Sequence, residues 1–438
     1  MDTRYANEIA NVTGLLREAL VREEGDALLS DPSYLDGRVQ ELLRQVGRGT
    51  VEGVLAWGVA RLTQVAKAGG LTVQRSPTIA VTTLFGPVEF RSPYLWDPRT
   101  KASARPVWDA WKLRDGSRTI AVERALTDFG AEESFGQASR RFQEHYGFEV
   151  GRTSVARVAE RQARRAEAYV EQRLQAARAT FEHPLSERPG VEYIVAQLDG
   201  CEIRTGQIVA IETEERTKKR NLPRRRRNEA WRDVRVGLAR PANEVDATYV
   251  ACMDKYPVVV HQIFDAACLR GLSTQTQVVA VADGGNGLRE ELDAQFANLR
   301  FVLDRPHLKQ HLFETAEACG LVDQERERWV GRITACLDVG TVQPVLDELA
   351  AHKGRGKHRV TQLLAYLTRF RDAFGYDELK KAGLPIGSGE IESAHRTIPQ
   401  KRLKLPGAWW HPRSVNPMLA LRVLRANGWW DDFWRAAA

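Results

Sequence analysis

Residues 278–311, VVAVADGGNGLREELDAQFANLRFVLDRPHLKQH, constrain the fold more than any other stretch. Residues 278–282 are a short β-branched run, the pattern of a strand buried on both faces. The run stops at Asp283, followed by Gly284 and Gly285. Residues 288–296 fit a helix packing back on the sheet, and residues 299–303 form a second buried run that ends on Asp304. His307 and His311 follow, one helical turn apart. Two neighbouring strands that each end in aspartate predict a site gathering carboxylates at the C-terminal edge of an α/β sheet, where such sheets bind ligands.

The same logic extends upstream. Residues 193–198 read as a buried strand ending at Asp199-Gly200, residues 206–213 as a second, hairpin-linked strand, and residues 231–239 as a third. A helix near residues 261–272 precedes the central stretch. The order is strand, strand, strand, helix, strand, helix, strand, with carboxylates ending the first and fourth strands. It resembles a ribonuclease-H-like core, in which those two carboxylates lie side by side.

The flanks are of other kinds. Residues 4–69 carry apolar positions at spacings of three and four, a helical region of assembly or packing character. Residues 71–95 read as strands of a small β hairpin joined across Gly86-Pro87, and Trp96, Trp108 and Trp111 are expected to pack a junction between domains. Residues 134–145, a turn with Gly147 and Gly151, and a helix from near Thr153 have the proportions of a helix-turn-helix. Arg152, Arg157 and Arg161 are placed to meet DNA there. Residues 305–380 read as an all-α insertion, with Leu308, Leu312, Leu363 and Leu367 as packing positions.

After the insertion comes LPIGSGEIESAHRTIPQKRLKLPGAWW. Ser388 suits the cap of a helix whose first turn carries Glu390 and Glu392. These two lie about 200° apart around a helix, so only one points into a given site. Arg396, Lys401, Arg402 and Lys404 make a positive stripe, and the Trp residues of the C-terminal GWWDDFW are expected to pack rather than stack on bases. Residues 216–227 contain eight basic residues and no acid, including Arg224, Arg225, Arg226 and Arg227; that is the composition of a self-repelling loop which a phosphate backbone would order.

Composition narrows the classes. The 438 residues carry a net charge of +7, which favours an acidic partner such as nucleic acid. The five cysteines are odd in number and none form a C-x-x-C pair, which argues against a disulfide scaffold and a zinc ribbon. The polar N-terminus and the lack of long apolar runs predict a cytoplasmic, nucleoid-associated protein without a membrane span.

With these segments in place, the chain resembles the DDE transposases of bacterial insertion sequences, within the Mutator-like superfamily and most like its Kra-type group. The resemblance rests on Asp199-Gly200, on ADGGNGL at 282–288 followed by D-x-x-H at 304–307, and on GSGEIES at 387–393 followed by KRLK at 401–404 and the G-A-W of 407–409. It implies an α+β multidomain chain with a ribonuclease-H-like catalytic core and an all-α insertion, preceded by helical DNA-binding regions and a small β element. The divisions are 1–70, 71–115, 116–185, 186–304, 305–380 and 381–438. It implies Asp199, Asp283 and Glu392 as catalytic and metal-binding residues, with His307 and Asp304 in support. It further implies cutting of double-stranded DNA at terminal inverted repeats, joining to target DNA, and a dimer or higher assembly on DNA. The sequence departs from the resemblance in having no cysteine pairs near the N-terminal β element, which puts a metal-bound DNA reader there in doubt.

In-line displacement at phosphorus suits two Mg²⁺ (or Mn²⁺) ions about 3.5–4 Å apart on a few carboxylates. Clustered carboxylates repel, so a raised carboxyl pKa is expected before metal arrives. Some assignments stay open: Glu390 in place of Glu392, Asp304 in place of Asp283, and a zinc site on Asp304, His307 and His311. A catalytically silent DNA-binding regulator and a ribonuclease-H-like nuclease are the alternative functions. Residues 284–287 lack the following Lys-Ser/Thr of a phosphate loop.

Overall fold

A computed structural model describes residues 3–181, 190–210 and 225–436 of the chain. The chain divides into two compact units: residues 1–130 with 135–159, and residues 131–134 with 160–438.

The first unit opens with α1 (Ala6–Ser30) and α2 (Leu35–Ala68), the latter unbroken through Gly47 and Gly49. The β region is more divided than its sequence suggests. It forms β1 (Thr72–Arg75), β2 (Thr78–Thr83), β3 (Gly86–Arg91), β4 (Tyr94–Trp96) and β5 (Ser103–Ala104), then α3 (Pro106–Trp111) and β6 (Ser117–Arg118). Their sheets run β1-β4-β5 and β3-β2-β6. β2 and β3 make the expected hairpin, closing at Thr83↔Gly86, where Gly86 takes φ +108°. Val81, Val88, Phe90 and Val107 form its core with α2 residues Val51 and Leu55. Trp111 packs into this same core, against Gly58 of α2, rather than at a domain junction; Trp108 is exposed.

Next come α4 (Ile120–Glu132), α5 (Phe135–Tyr146) and the start of α6 (Arg152–Phe181). Val122, Leu126, Phe142, Val155 and Val158 are their shared core. The turn between α5 and α6 is set by Gly147 at φ +76° and by the Ser139 hydroxyl donating to the Val150 carbonyl at 2.8 Å. These are the helix and turn bounds that the sequence indicates, within two residues.

The second unit is built on one five-stranded sheet. Its strands are β7 (Tyr193–Ala210), β8 (Arg225–Pro241), β9 (Thr248–Cys252), β10 (Gln277–Ala282) and β11 (Leu299–Leu303), in the order β11-β10-β7-β8-β9. β10 runs parallel to both β7 and β11, while β8 is antiparallel to β7 and β9. Buried Val and Ala on β10 are consistent with a strand covered on both faces.

The sequence reading misassigns these strands in one respect. β7 does not end at Asp199; it continues to Ala210, paired with β8 in unbroken register from Ile194↔Pro241 to Ala210↔Arg225. Residues 206–210 of the run at 206–213 are thus the outer part of the first strand, the run at 231–239 belongs to the second, and the third is β9. Arg225, Arg226 and Arg227 lie in β8 rather than in a loop. Arg224 and residues 211–223 lie outside the described residues, as does most of the stretch 183–190.

α7 (Tyr256–Leu269) covers β8 and β9, its Ile263 filling the space that Gly237 leaves. α8 (Leu288–Gln295) links β10 to β11. The all-α segment follows as α9 (Arg305–Ala318), α10 (Asp323–Asp338), α11 (Gln343–Ala351), α12 (Lys357–Arg369) and α13 (Tyr376–Lys381). It is anchored to the sheet by the buried Tyr376 hydroxyl donating to the Leu303 carbonyl at 2.8 Å. The chain closes with α14 (Gly389–His395), a π-helical turn (Arg396–Gln400), the short α15 (Lys401–Leu403), α16 (Val415–Ala426) and α17 (Trp430–Arg435). Asn416 and Asn427 bond the backbone of edge strand β9 at Met253 and Tyr249, so that edge is covered. Trp429, Trp430 and Trp434 are buried, as expected of packing residues. Among the described residues no helix is long and apolar enough to cross a membrane.

Candidate active site

The parallel register between β10 and β7 decides where the carboxylates lie. Its last pair is Val281↔Gln197. Asp199 stands two residues past Gln197 on β7, and Asp283 two residues past Val281, just beyond the end of β10, so the register directs both to the same edge at the centre of the sheet. Asp199 Oδ1 accepts from the Gly200 N–H at 2.6 Å and Asp283 Oδ1 from the Gly285 N–H at 3.0 Å. Asp283 is exposed and Asp199 half-buried.

The loop after Asp283 is shaped by its glycines and by the all-α segment. Gly284 takes φ +82°, and a Cβ there would sit 2.8 Å from the Phe370 ring. Tyr366 of α12 donates its hydroxyl to the Asp283 carbonyl at 2.7 Å, and Arg369 donates to Asn286 Oδ1 at 2.6 Å. The insertion thus holds the backbone that presents Asp283.

Asp304 occupies a different environment from Asp283. It is fully buried, and both its oxygens are engaged by protein. Oδ1 accepts from the His307 N–H at 2.8 Å, capping α9, and lies 3.2 Å from His307 Nδ1; Oδ2 accepts from the Ser388 N–H at 2.7 Å. Burial pushes its carboxyl up, but the hydrogen bonds from His307 and Ser388 win and hold it below its ordinary value. Fully buried and bonded through both oxygens to the backbone at His307 and Ser388, Asp304 acts as a clamp between these two segments. The bond to Asp304 and then the charges of Asp304, Asp283 and Asp199 push the His307 imidazole up to about 9. The negative potential of the three aspartates therefore registers on this histidine.

α14 lies against β7 and β8. Gln197 Oε1 accepts from the Ile391 N–H at 3.1 Å, which fixes the helix to β7. Ser388 stands at the N-cap position without a side-chain cap bond; its backbone N–H serves Asp304 instead. Glu390 turns to Arg240, a buried guanidinium whose Nε donates to Glu390 Oε2 at 2.8 Å. Glu392 is exposed and one turn before His395. His395 is buried, and its Nε2, lacking a hydrogen-bond partner, lies 3.6 Å from Asp199 Oδ2. Of the two glutamates, Glu392 shares the side of α14 that carries His395 towards Asp199.

His395, Gln197, Arg240 and Tyr366 escaped the sequence reading. Only His395 had a usable signal, its place three residues after Glu392. The other three act through contacts with residues distant in sequence.

The zinc alternative finds no support. His311 meets the Arg359 guanidinium at 3.2 Å and the Tyr366 ring, and burial, then the Arg359 charge, hold its pKa below the ordinary value. Among the described residues no three His, Cys, Asp or Glu side chains form a group placed to hold a metal ion. Asp199, Asp283 and Glu392 nonetheless suit a hard cation in chemistry, being oxygen donors that are not buried, and His395 Nε2, buried without a hydrogen-bond partner, lies beside Asp199.

The basic residues divide. Arg152, Arg157 and Arg161 are exposed on α6, and Arg396 and Lys404 are exposed near α14; Lys404 acts electrostatically on Cys201, two residues past Asp199. Lys401 pairs with Glu132 at 2.5 Å. Arg402 leaves the expected stripe altogether: it is buried, 4.6 Å from the Trp410 ring centre, and burial with the nearby Arg422 charge lowers it to about 10.

No family model and no curated protein sequence matches the chain.

Proposed function

We propose that the second unit is a ribonuclease-H-like core and that the chain is a metal-dependent DDE transposase, cutting DNA at terminal inverted repeats and joining the ends to target DNA. The observation that carries this reading is the parallel register of β7 and β10, central strands of a sheet ordered β9-β8-β7-β10-β11, with Asp199 and Asp283 each two residues past its last pair. The side of α14 that bears Glu392 and His395 supports it from above β7.

Asp199, Asp283 and Glu392 would hold Mg²⁺ or Mn²⁺, which when bound supplies activation of the attacking hydroxyl and stabilisation of the leaving oxygen. The chain's own residues do the positioning. Tyr366 and Arg369 fix the Asp283 loop. Asp304 holds the start of α14, and His307, protonated at neutral pH, offsets part of the aspartates' charge. Exposed Arg396 and Lys404 suit flanking phosphates, and Arg152 and Arg157 suit DNA at the helix-turn-helix.

The test is nicking of a labelled DNA carrying the element's own end, with Mg²⁺ and with EDTA, by the wild type and Asp283→Ala. The expected result is metal-dependent nicking by the wild type and binding without nicking by the variant. Binding without cleavage by the wild type in any metal would favour a silent regulator, and the absence of binding would remove the reading.

A further inference from the structure

α14 is bound to the sheet at three points before it reaches His395. The Ser388 N–H at its N-cap donates to Asp304, Arg240 holds Glu390, and the Ile391 N–H donates to Gln197. Its last residue is therefore not needed to dock it, and an apolar side chain there would carry no polar atom to satisfy. His395 stands there instead. It is 3% exposed, and its Nε2 is buried with no hydrogen-bond partner. Buried polar atoms are nearly always paired, so one left over calls for a reason. The carboxylate oxygen beside it, Asp199 Oδ2, lies 3.6 Å away.

The backbone changes at the same residue. Pro399 has no N–H to donate to the His395 carbonyl four residues back, as an α-helix requires. The helix widens into the π-helical turn Arg396–Gln400, at whose end the Lys401 N–H donates to the Arg396 carbonyl. Within that turn the Thr397 carbonyl accepts from Arg422 of α16, from Nη2 at 2.7 Å and Nε at 3.1 Å. Single π turns in helices are frequent at functional sites. Here the turn starts directly after the histidine that faces Asp199.

We propose that His395 is a positioning residue for Asp199, holding the carboxylate in the orientation in which it takes a metal ion. A carboxylate that binds a cation is ionised and only accepts, so Nε2 faces it as an N–H. At 3.6 Å the pair lies just outside hydrogen-bond range, and a small rotation of either side chain closes it. Asp199 Oδ1 already accepts from the Gly200 N–H. With Oδ2 held by His395, both oxygens are steered by the protein, and each keeps a further lone pair for a cation. Hydrogen-bonded neighbours of metal ligands orient them, and metal affinity falls when such a neighbour is removed. The inference rests on the reading of Asp199 as a metal-binding carboxylate.

The experiment follows free Mn²⁺ by electron paramagnetic resonance as the ion is titrated into the full chain. The wild type should bind Mn²⁺, and Asp283→Ala should lose that binding. His395→Phe keeps a ring and removes both nitrogens; it should bind Mn²⁺ about tenfold to hundredfold more weakly. His395→Gln, whose amide presents an N–H at similar reach, should recover most of the affinity, a rescue that a packing role alone would not give. Urea midpoints establish that the variants are folded. Equal affinity in wild type and His395→Phe would overturn the inference and leave the transposase reading standing, as would equal losses in the Phe and Gln variants. Should neither variant fold, the wild type still decides. The NMR signal of His395 Nε2 in histidine-labelled protein should move as Mg²⁺ is added, and a fixed signal would overturn the inference. A wild type that binds Mn²⁺ no better than Asp283→Ala would remove both readings.

Discussion

The backbone N–H of Ser388 donates to Asp304 Oδ2 at 2.7 Å, tying the first residue before α14 to the end of β11. The whole all-α segment lies between these residues in sequence, so this bond sets where the glutamate helix begins relative to the sheet. The same carboxylate caps α9 through His307. One buried aspartate thus orients two helices that flank the candidate site.

Asp304→Ala should therefore destabilise the second unit, because it leaves the Ser388 and His307 N–H groups without their acceptor. A cost of about 2–3 kcal/mol is expected, at the upper end for buried groups left unsatisfied. A lowered urea midpoint with an unchanged slope checks it. An unchanged midpoint would mean that water replaces the carboxylate and that the clamp is dispensable.

The His307–Asp304 pair gives a pH signature. The imidazole is raised to about 9 in the folded chain, above its ordinary value near 6.5. A raised base stabilises the fold when protonated, so its contribution is fully present below about pH 6.5 and is lost as pH rises through about 9. The urea midpoint of the wild type should exceed that of His307→Gln by a constant margin in mild acid, and the margin should shrink between pH 7 and 9. A margin independent of pH across that window would contradict the protonated pair.

Glu390 and Glu392 should separate cleanly. Glu390→Ala strips the buried Arg240 of its carboxylate partner and should cost about 1.5–3 kcal/mol, the range for a charged hydrogen bond, while sparing metal-dependent nicking at temperatures where the variant is folded. Glu392→Ala should leave stability within about 0.5 kcal/mol of wild type, as an exposed site does, and abolish nicking. The reverse outcome, activity lost only with Glu390, would reassign the third carboxylate.

How much of this was readable in the sequence depended on whether local pattern or distant contact decided each element. β10 and β11 were legible because both are short apolar runs, of Val and Ala in β10 and of Leu, Phe and Val in β11, each followed by an aspartate. Most of the helical segments announced themselves by spacing. The outer half of β7 was not legible: Asp199-Gly200 reads as the end of a strand, and only the seventeen-residue pairing with β8 carries the strand past it. Four consecutive arginines looked like a repelling loop, yet Glu229 and Trp409 hold Arg227 within a strand. Arg402 was misjudged for a similar reason. Lys401 and Lys404 near it in sequence are exposed, but Arg402 itself is buried beside the Trp410 ring. For the site, the two strand carboxylates could be proposed from pattern. The different surroundings of Asp283 and Asp304 could not, because they depend on Ser388 and Tyr366, far along the chain.

Tyr366 offers the sharpest test of whether the insertion serves the site. Its hydroxyl donates to the Asp283 carbonyl, and its ring packs edge-on to Phe370, which itself stacks on Phe301 of β11. Tyr366→Phe removes the hydroxyl and keeps the ring packing. Stability should fall by about 1 kcal/mol, the net value of one hydrogen bond. The consequence for nicking should be larger, because a loop freed by a fraction of an ångström misplaces Asp283 relative to Asp199. A fall of roughly tenfold or more in the single-turnover rate is expected, with DNA affinity unchanged, since displaced geometry alone can cost about a hundredfold. If the rate falls no further than the stability loss accounts for, the all-α segment is a packing element and the Asp283 loop is positioned by its glycines.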